Sequence, residues 1–99
     1  MKIDKNVNGE TLTLTLDGRL DTTTAPQLEA EIKNSLNGAA SLTLDFGALD
    51  YLSSAGLRVL LAAQKQINAQ KGRMVIKNVN STIMEVFEIT GFTAILTIE

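Results

Sequence analysis

The stretch Leu49-Asp50-Tyr51-Leu52-Ser53-Ser54-Ala55-Gly56-Leu57 passes from a strand into a helix through one sharp turn, and its reading decides the fold. The hydroxyls of Ser53 and Ser54 stand where capping oxygens belong, so both serines are placed at a helix N-terminus, with Ser54 read first as a cap. Downstream, Leu57, Leu60, Leu61 and Ile67 form an apolar stripe broadened by Val59, Ala62 and Ala63, and Gly72 is expected to end the helix just after Lys71. Upstream, Leu42, Leu44 and Phe46 alternate with polar residues from Ser41 to Phe46, the period of a strand with one buried face. After the helix, Met74-Val75-Ile76 is a continuous apolar run between Arg73 and Lys77, which reads as a central strand covered on both faces. Strand, helix, strand in this order is a crossover unit of a parallel sheet.

Working outward, Thr11 to Leu16 alternates Thr and Leu without error, and Ile3 and Val7 precede the turn signal Asn8-Gly9, so the sheet begins as an antiparallel hairpin. Asp17-Gly18 and Arg19-Leu20-Asp21, followed by three threonines, read as a loop. Thr24 stands three residues before Gln27 with Pro26 in the first turn, which predicts a Thr24-capped helix from about Ala25 to Leu36. Leu28, Ile32 and Leu36 share its buried face, Glu29 can pair with Lys33, and Asn37-Gly38 is the left-handed stop. Asn80 caps a third helix, with Val79 and Met84 as a hydrophobic staple, Ile83 and Phe87 inward and Thr90-Gly91 as the stop. Ile95 to Ile98 reads as a last short strand. The expected fold is α/β, a mixed β-sheet packed with α-helices in the order β-β-α-β-α-β-α-β, with residues 1–99 forming one domain. Leu44, Leu60, Leu61, Val75 and Phe87 are expected in its core.

Inventory removes most catalytic classes. The 99 residues contain no Cys and no His, which excludes thiolate nucleophiles, disulfides, the usual zinc sites and imidazole acid-base chemistry. No Gly-x-Ser-x-Gly stands in the chain, so a serine hydrolase has neither motif nor base, and a phosphoreceiver using Asp45 lacks an acidic pair beside Asp4 to hold its metal. Neither a cofactor nor a metal is implied, and the expectation is a protein that is not an enzyme. A net charge of −2 offers no cationic excess for nucleic acid or anionic lipid. The longest aliphatic run, Val59 to Ala63, is far short of the roughly 20 residues a membrane span needs. With no export signal at Met1 to Asn6, a cytoplasmic location is expected.

The element order, Gly18-Arg19-Leu20-Asp21, Leu42-Thr43-Leu44-Asp45 and above all Ser53-Ser54-Ala55-Gly56-Leu57 resemble the STAS domain of bacterial anti-sigma-factor antagonists over nearly the whole chain. In that family the turn is usually written Asp-Ser-Ser/Thr/Ala-Gly-Leu, and the serine after the Asp is phosphorylated by a partner that is both anti-sigma factor and kinase. The resemblance places Ser54 at the acceptor position and Ser53 at the position of the usual Asp, with Ser53 the second candidate acceptor. It implies partner switching: the unphosphorylated chain binds the anti-sigma factor and serine kinase and frees a sigma factor, phosphorylation at Ser54 ends the contact, and a phosphatase resets it. Many family members continue into a further helix after the last strand. A face left uncovered here can be hidden by a symmetric contact, so a monomer or a weak homodimer is expected.

The same resemblance gives a partner surface of Asp21, Thr22, Thr23, Tyr51, Ser53, Ser54, Ala55, Gly56 and Arg58. Each has a plainer reading as well. Asp21 can cap the loop before Thr24, Asp45 can bond nearby loop N–H groups, Ser53 can shape the turn, and Gly56, expected to admit close approach of another backbone, can instead be simply tolerated near a helix end. Loss of the Asp at position 53 supports an alternative function, a STAS protein-binding or small-ligand-sensing module that works without phosphorylation.

Overall fold

The computed structural model describes residues 1–99. Strand β1 (Lys2–Asn8) and strand β2 (Thr11–Leu20) form the antiparallel hairpin, joined at Asn8-Gly9, where Gly9 takes φ +62°. Helix α1 (Ala25–Ser35) leads to strand β3 (Ser41–Leu52), helix α2 (Ser54–Ala69) to strand β4 (Arg73–Lys77), and helix α3 (Ser81–Thr90) to a short 3-10 turn at Phe92–Ala94. The mixed four-stranded sheet has the order β1-β2-β3-β4, with β2, β3 and β4 parallel. The fold class read from the sequence is the one observed. No helix is long and apolar enough to cross a membrane.

Period-2 alternation fixes which face of the sheet carries the core. Leu12 and Leu14 of β2 lie in register with buried Leu42 and Leu44 of β3, and Leu16 is buried on the same face, while Thr11, Thr13, Thr15, Ser41 and Thr43 line the other, half-exposed face. Phe46 and Phe87 are fully buried, their rings 6.3 Å apart, and tie α3 to the sheet. Leu44, Leu60, Val75 and Phe87 are buried as expected, but Leu61 is not. The buried stripe of α2 runs through Leu57, Leu60, Gln64 and Ile67, so Leu61 falls one helical step to its side, half-exposed.

Several boundaries differ from the sequence reading, each for a local reason. Strand β2 does not stop at Asp17-Gly18 but absorbs it with two register shifts, one between Thr15 and Asp17 and one between Gly18 and Arg19. Gly18 takes φ +109° there, a conformation that glycine reaches without a steric penalty. Its continuation pairs Arg19 with Tyr51 and Leu20 with Leu52, so β3 likewise runs on to Leu52 instead of ending at Phe46. At the end of α2 the left-handed residue is Lys71, φ +60°, not Gly72. Strand β4 is covered on both faces but is not central: beyond it lies a single parallel bridge from Ile98 to Ile76. The expected last strand is shortened to that bridge, held by Ile76 N–H donating to Thr97 O and Glu99 N–H to Ile76 O, each 2.9 Å.

The caps of α3 and its stop follow the reading. Asn80 Oδ1 accepts from Ile83 N–H at 2.8 Å, and Gly91 closes the helix at φ +78°. Thr24 occupies the N-cap of α1 without capping it. Its hydroxyl turns back, donating to Arg19 O at 2.7 Å and accepting from Asp21 N–H at 2.8 Å.

Candidate functional site

The ends of β2 and β3 place two segments side by side. Ser53 N–H donates to Leu20 O at 2.9 Å, so the serine turn starts where the Asp21–Thr24 turn also starts. Ser53 is the N-cap of α2 in extended conformation and Ser54 is its first helical residue, exposed to solvent. The N–H groups of that first turn have no acceptor within the helix. Gly56 fixes how closely α2 can seat: a Cβ there would lie 2.7 Å from Leu20 Cγ and 2.7 Å from Leu52 Cδ1. The close approach is therefore to two core side chains, not to another backbone.

The capping expected of the serines is absent. Ser54 lies one residue inside the cap position, and the hydroxyl of Ser53 is buried without any hydrogen-bond partner. An orphaned hydroxyl contributes no bond that its loss would remove. We therefore expect Ser53→Ala and Ser54→Ala each to change stability by less than about 0.5 kcal/mol, against roughly 0.5 to 2 for loss of a working cap. A loss near the upper figure in a urea titration would place a capping bond in solution.

Asp21 does the work of organising its turn. Its Oδ1 accepts from Thr23 Oγ1 at 2.7 Å, Thr23 N–H at 3.0 Å and Thr24 N–H at 3.1 Å. Hydrogen bonding by Thr23 hydroxyl is the main reason its pKa falls from 3.8 to about 2; partial burial opposes the shift, and the Thr23 and Thr24 bonds outweigh it. A depressed folded-state pKa means that the carboxylate stabilises the fold above pH 3.8 and loses that contribution as pH falls toward about 2. The difference in Tm between wild type and Asp21→Asn should accordingly shrink across that interval. A gap of constant size would show that the charged form makes no special bonds.

Arg19 belongs to this surface although its sequence position read as loop. Its guanidinium lies 4.2 Å from the centre of the Tyr51 ring and 3.7 Å from Asp21 Oδ2, joining the two segments across the strand ends. Arg19 stood within the Gly18-Arg19-Leu20-Asp21 stretch, but its contact with Tyr51 follows from a strand pairing that the bulges create. Thr22, Ala55 and Arg58 line one depression of about 200 Å³, whereas Thr23 is exposed on the turn beside it. Thus Asp21, Thr22, Thr23, Tyr51, Ser53, Ser54, Ala55, Gly56 and Arg58 are gathered at one end of the sheet.

Asp45 lies outside that end. Its Oδ1 accepts from Gly47 N–H at 2.9 Å and Asn78 Nδ2 at 3.0 Å. The Asn78 bond, then the Gly47 bond, hold its pKa below the ordinary value against partial burial, with help from the charge of Lys77. Its plainer reading, a bond to loop N–H groups, accounts for it. No group of three or more acidic side chains is arranged to hold a metal ion.

The STAS domain model matches residues 2–99, which carry both the strand-ended serine turn and its neighbouring acidic turn. The chain belongs to the STAS domain family. A Bordetella bronchiseptica relative provisionally named anti-sigma factor antagonist BtrV is 43% identical over 81 residues, 81% of this STAS chain and 70% of the relative. Among solved structures, an anti-sigma factor antagonist provisionally so named from Thermotoga maritima superposes with a TM-score of 0.90 at 16% identity, covering 97% of this chain and 84% of that one. The Bacillus cell fate determinant SpoIIAA in its phosphorylated form superposes with a TM-score of 0.77 at 25% identity, covering 99% and 91% respectively.

Proposed function

We propose that this STAS domain is an anti-sigma-factor antagonist working by partner switching in the cytoplasm. In its unphosphorylated form it binds an anti-sigma factor that is also a serine kinase and so releases a sigma factor. Phosphorylation of Ser54 ends the contact and a phosphatase restores it. The role is regulatory and not catalytic. The single observation that carries the reading is the junction of β2 and β3, which sets an exposed Ser54 at a helix N-terminus beside the Asp21 turn. The relatives' names and the phosphorylated SpoIIAA support it.

The chemistry suits a reversible charge switch. A phosphate on Ser54 brings about −1.5 to −2 charge to free N–H groups and the positive end of the helix dipole, so the fold tolerates it. A partner groove shaped around a neutral hydroxyl does not, because the dianion must be desolvated there without a counter-charge. Ser53 in place of the family's Asp, with its hydroxyl unpartnered, favours the second reading of a phosphorylation-independent binding module.

Incubation with ATP and each purified anti-sigma kinase of the same genome, followed by mass spectrometry, separates the two. Phosphate on Ser54, its absence in Ser54→Ala, and weakened binding by Ser54→Asp are the expected results. Full incorporation into Ser54→Ala moves the acceptor to Ser53 or a nearby Thr. A kinase partner that binds but never phosphorylates leaves the second reading.

A further inference from the structure

Helices α1 and α2 do not close against each other along their outer edges. Small side chains on α2, Ala62 and Ala63, leave a groove of about 250 Å³ floored by Ile32 and Val59 and rimmed by Glu29, Lys33 and Gln66. It shares Glu29 and Val59 with the depression beside Ala55 and Arg58, so one continuous track starts next to Ser54 and follows α2 to Gln66. The eleven rises of about 1.5 Å from Ala55 to Gln66 make that track about 16 Å long, three turns of an opposing helix.

The two walls of the track differ in charge. Helix α2 has no acidic residue, and its two charged side chains are Arg58 and Lys65. Arg58 lines the track, and Lys65, two helical turns further along α2 and so on nearly the same face, is exposed beside it; neither forms an ion pair. On the α1 wall the cation Lys33 is already paired with Glu29 at 3.4 Å. The α2 wall is thus cationic and unneutralised in a chain whose net charge is −2.

We propose that this groove receives an acidic amphipathic helix of the protein that binds at the serine turn, its apolar side chains seated over Val59 and Ala62 and its carboxylates facing Arg58 and Lys65. The proposal rests on the partner-binding reading and adds to it the class of element bound and a second contact distant from the phosphoacceptor. Charge decides against a second copy of this chain: a two-fold contact through the groove brings two cationic α2 walls together. An opposite charge on the occupant steers its approach, and the apolar floor holds it.

The test uses Ala62→Trp, which fills the groove from an exposed position, and Lys65→Glu, which reverses the charge beside it. Binding to the purified anti-sigma kinases of the same genome should weaken about tenfold or more with each, while Lys2→Glu on β1 leaves it unchanged. Wild-type affinity in both groove variants, together with loss of binding in Ser54→Asp, overturns the groove and preserves the antagonist reading. A second probe is independent of any kinase: a synthetic helix with Leu at i, i+4 and i+7 and Glu on the flanks, titrated into the 15N-labelled protein. It should shift the amides of Ala55 to Gln66, and its Lys-for-Glu counterpart should not. Shifts there without kinase binding keep the groove and discard the antagonist reading. No shift from the acidic peptide combined with unaffected variants, or shifts at the groove that grow with protein concentration alone, overturn the proposal, the latter in favour of a second copy.

Discussion

Phe87→Ala is expected to remove about 3 to 5 kcal/mol of stability, the range for truncating a buried aromatic ring. Phe87 is fully buried against Phe46, and only one other side chain of α3, Ile83, reaches the core so completely. Domains of this size hold roughly 5 to 15 kcal/mol in total, so the variant can lose most of its margin at once. Urea titration followed by circular dichroism measures the change. A loss under about 1 kcal/mol, closer to a surface substitution, would mean that α3 is not anchored through this ring.

The second large effect comes from Gly72→Ala, which should destabilise by about 1 to 3 kcal/mol or more through overpacking. A Cβ at Gly72 would stand 2.7 Å from Ala40 O, and that carbonyl also accepts from Arg73 N–H at 2.9 Å to start the pairing of β4. Backbone cannot move aside there without shifting the strand. Gly56→Ala meets Leu20 and Leu52 at the same 2.7 Å distance, but side chains can adjust. A residue in a helix also gains up to about 1 kcal/mol on replacing Gly by Ala. Gly72→Ala should therefore lower Tm more than Gly56→Ala, and the reverse order in thermal melts would show that the Ala40 carbonyl yields easily.

The elements with a clear period were legible in the sequence. Leu12, Leu14 and Leu16 declared their strand by alternation, and the Asn80 cap and Gly91 stop bounded α3 within a residue. What escaped were places where a local signal is outvoted by pairing with a distant strand. Asp17-Gly18 has the composition of a turn, yet β3 alongside offers its backbone groups partners, and the bulges let the strand continue. Leu61 is a strong hydrophobe, but the phase of α2 is set by Leu57, Leu60 and Ile67, so Gln64 is buried instead.

At the site, the serine turn was legible because a helix start has a chemical signature. Its surroundings were less so. Thr24 looked like the cap of α1, while Asp21, with a carboxylate of greater reach and charge, gathers the turn's donors. The stacking of Arg19 on Tyr51 depends on a register that two bulges create, and no spacing within either segment encodes it.

Strand β3 is paired on both sides only as far as Asp45; from Ala48 to Leu52 it has β2 alone, with Asn80 Nδ2 reaching Leu49 O at 3.1 Å. The serine turn is therefore carried on a two-stranded extension of the four-stranded sheet, anchored to the core by Leu20, Leu49 and Leu52. In deuterated solvent the amides of Ala48 to Leu52 are expected to exchange ahead of those from Leu42 to Asp45, which are paired on both sides.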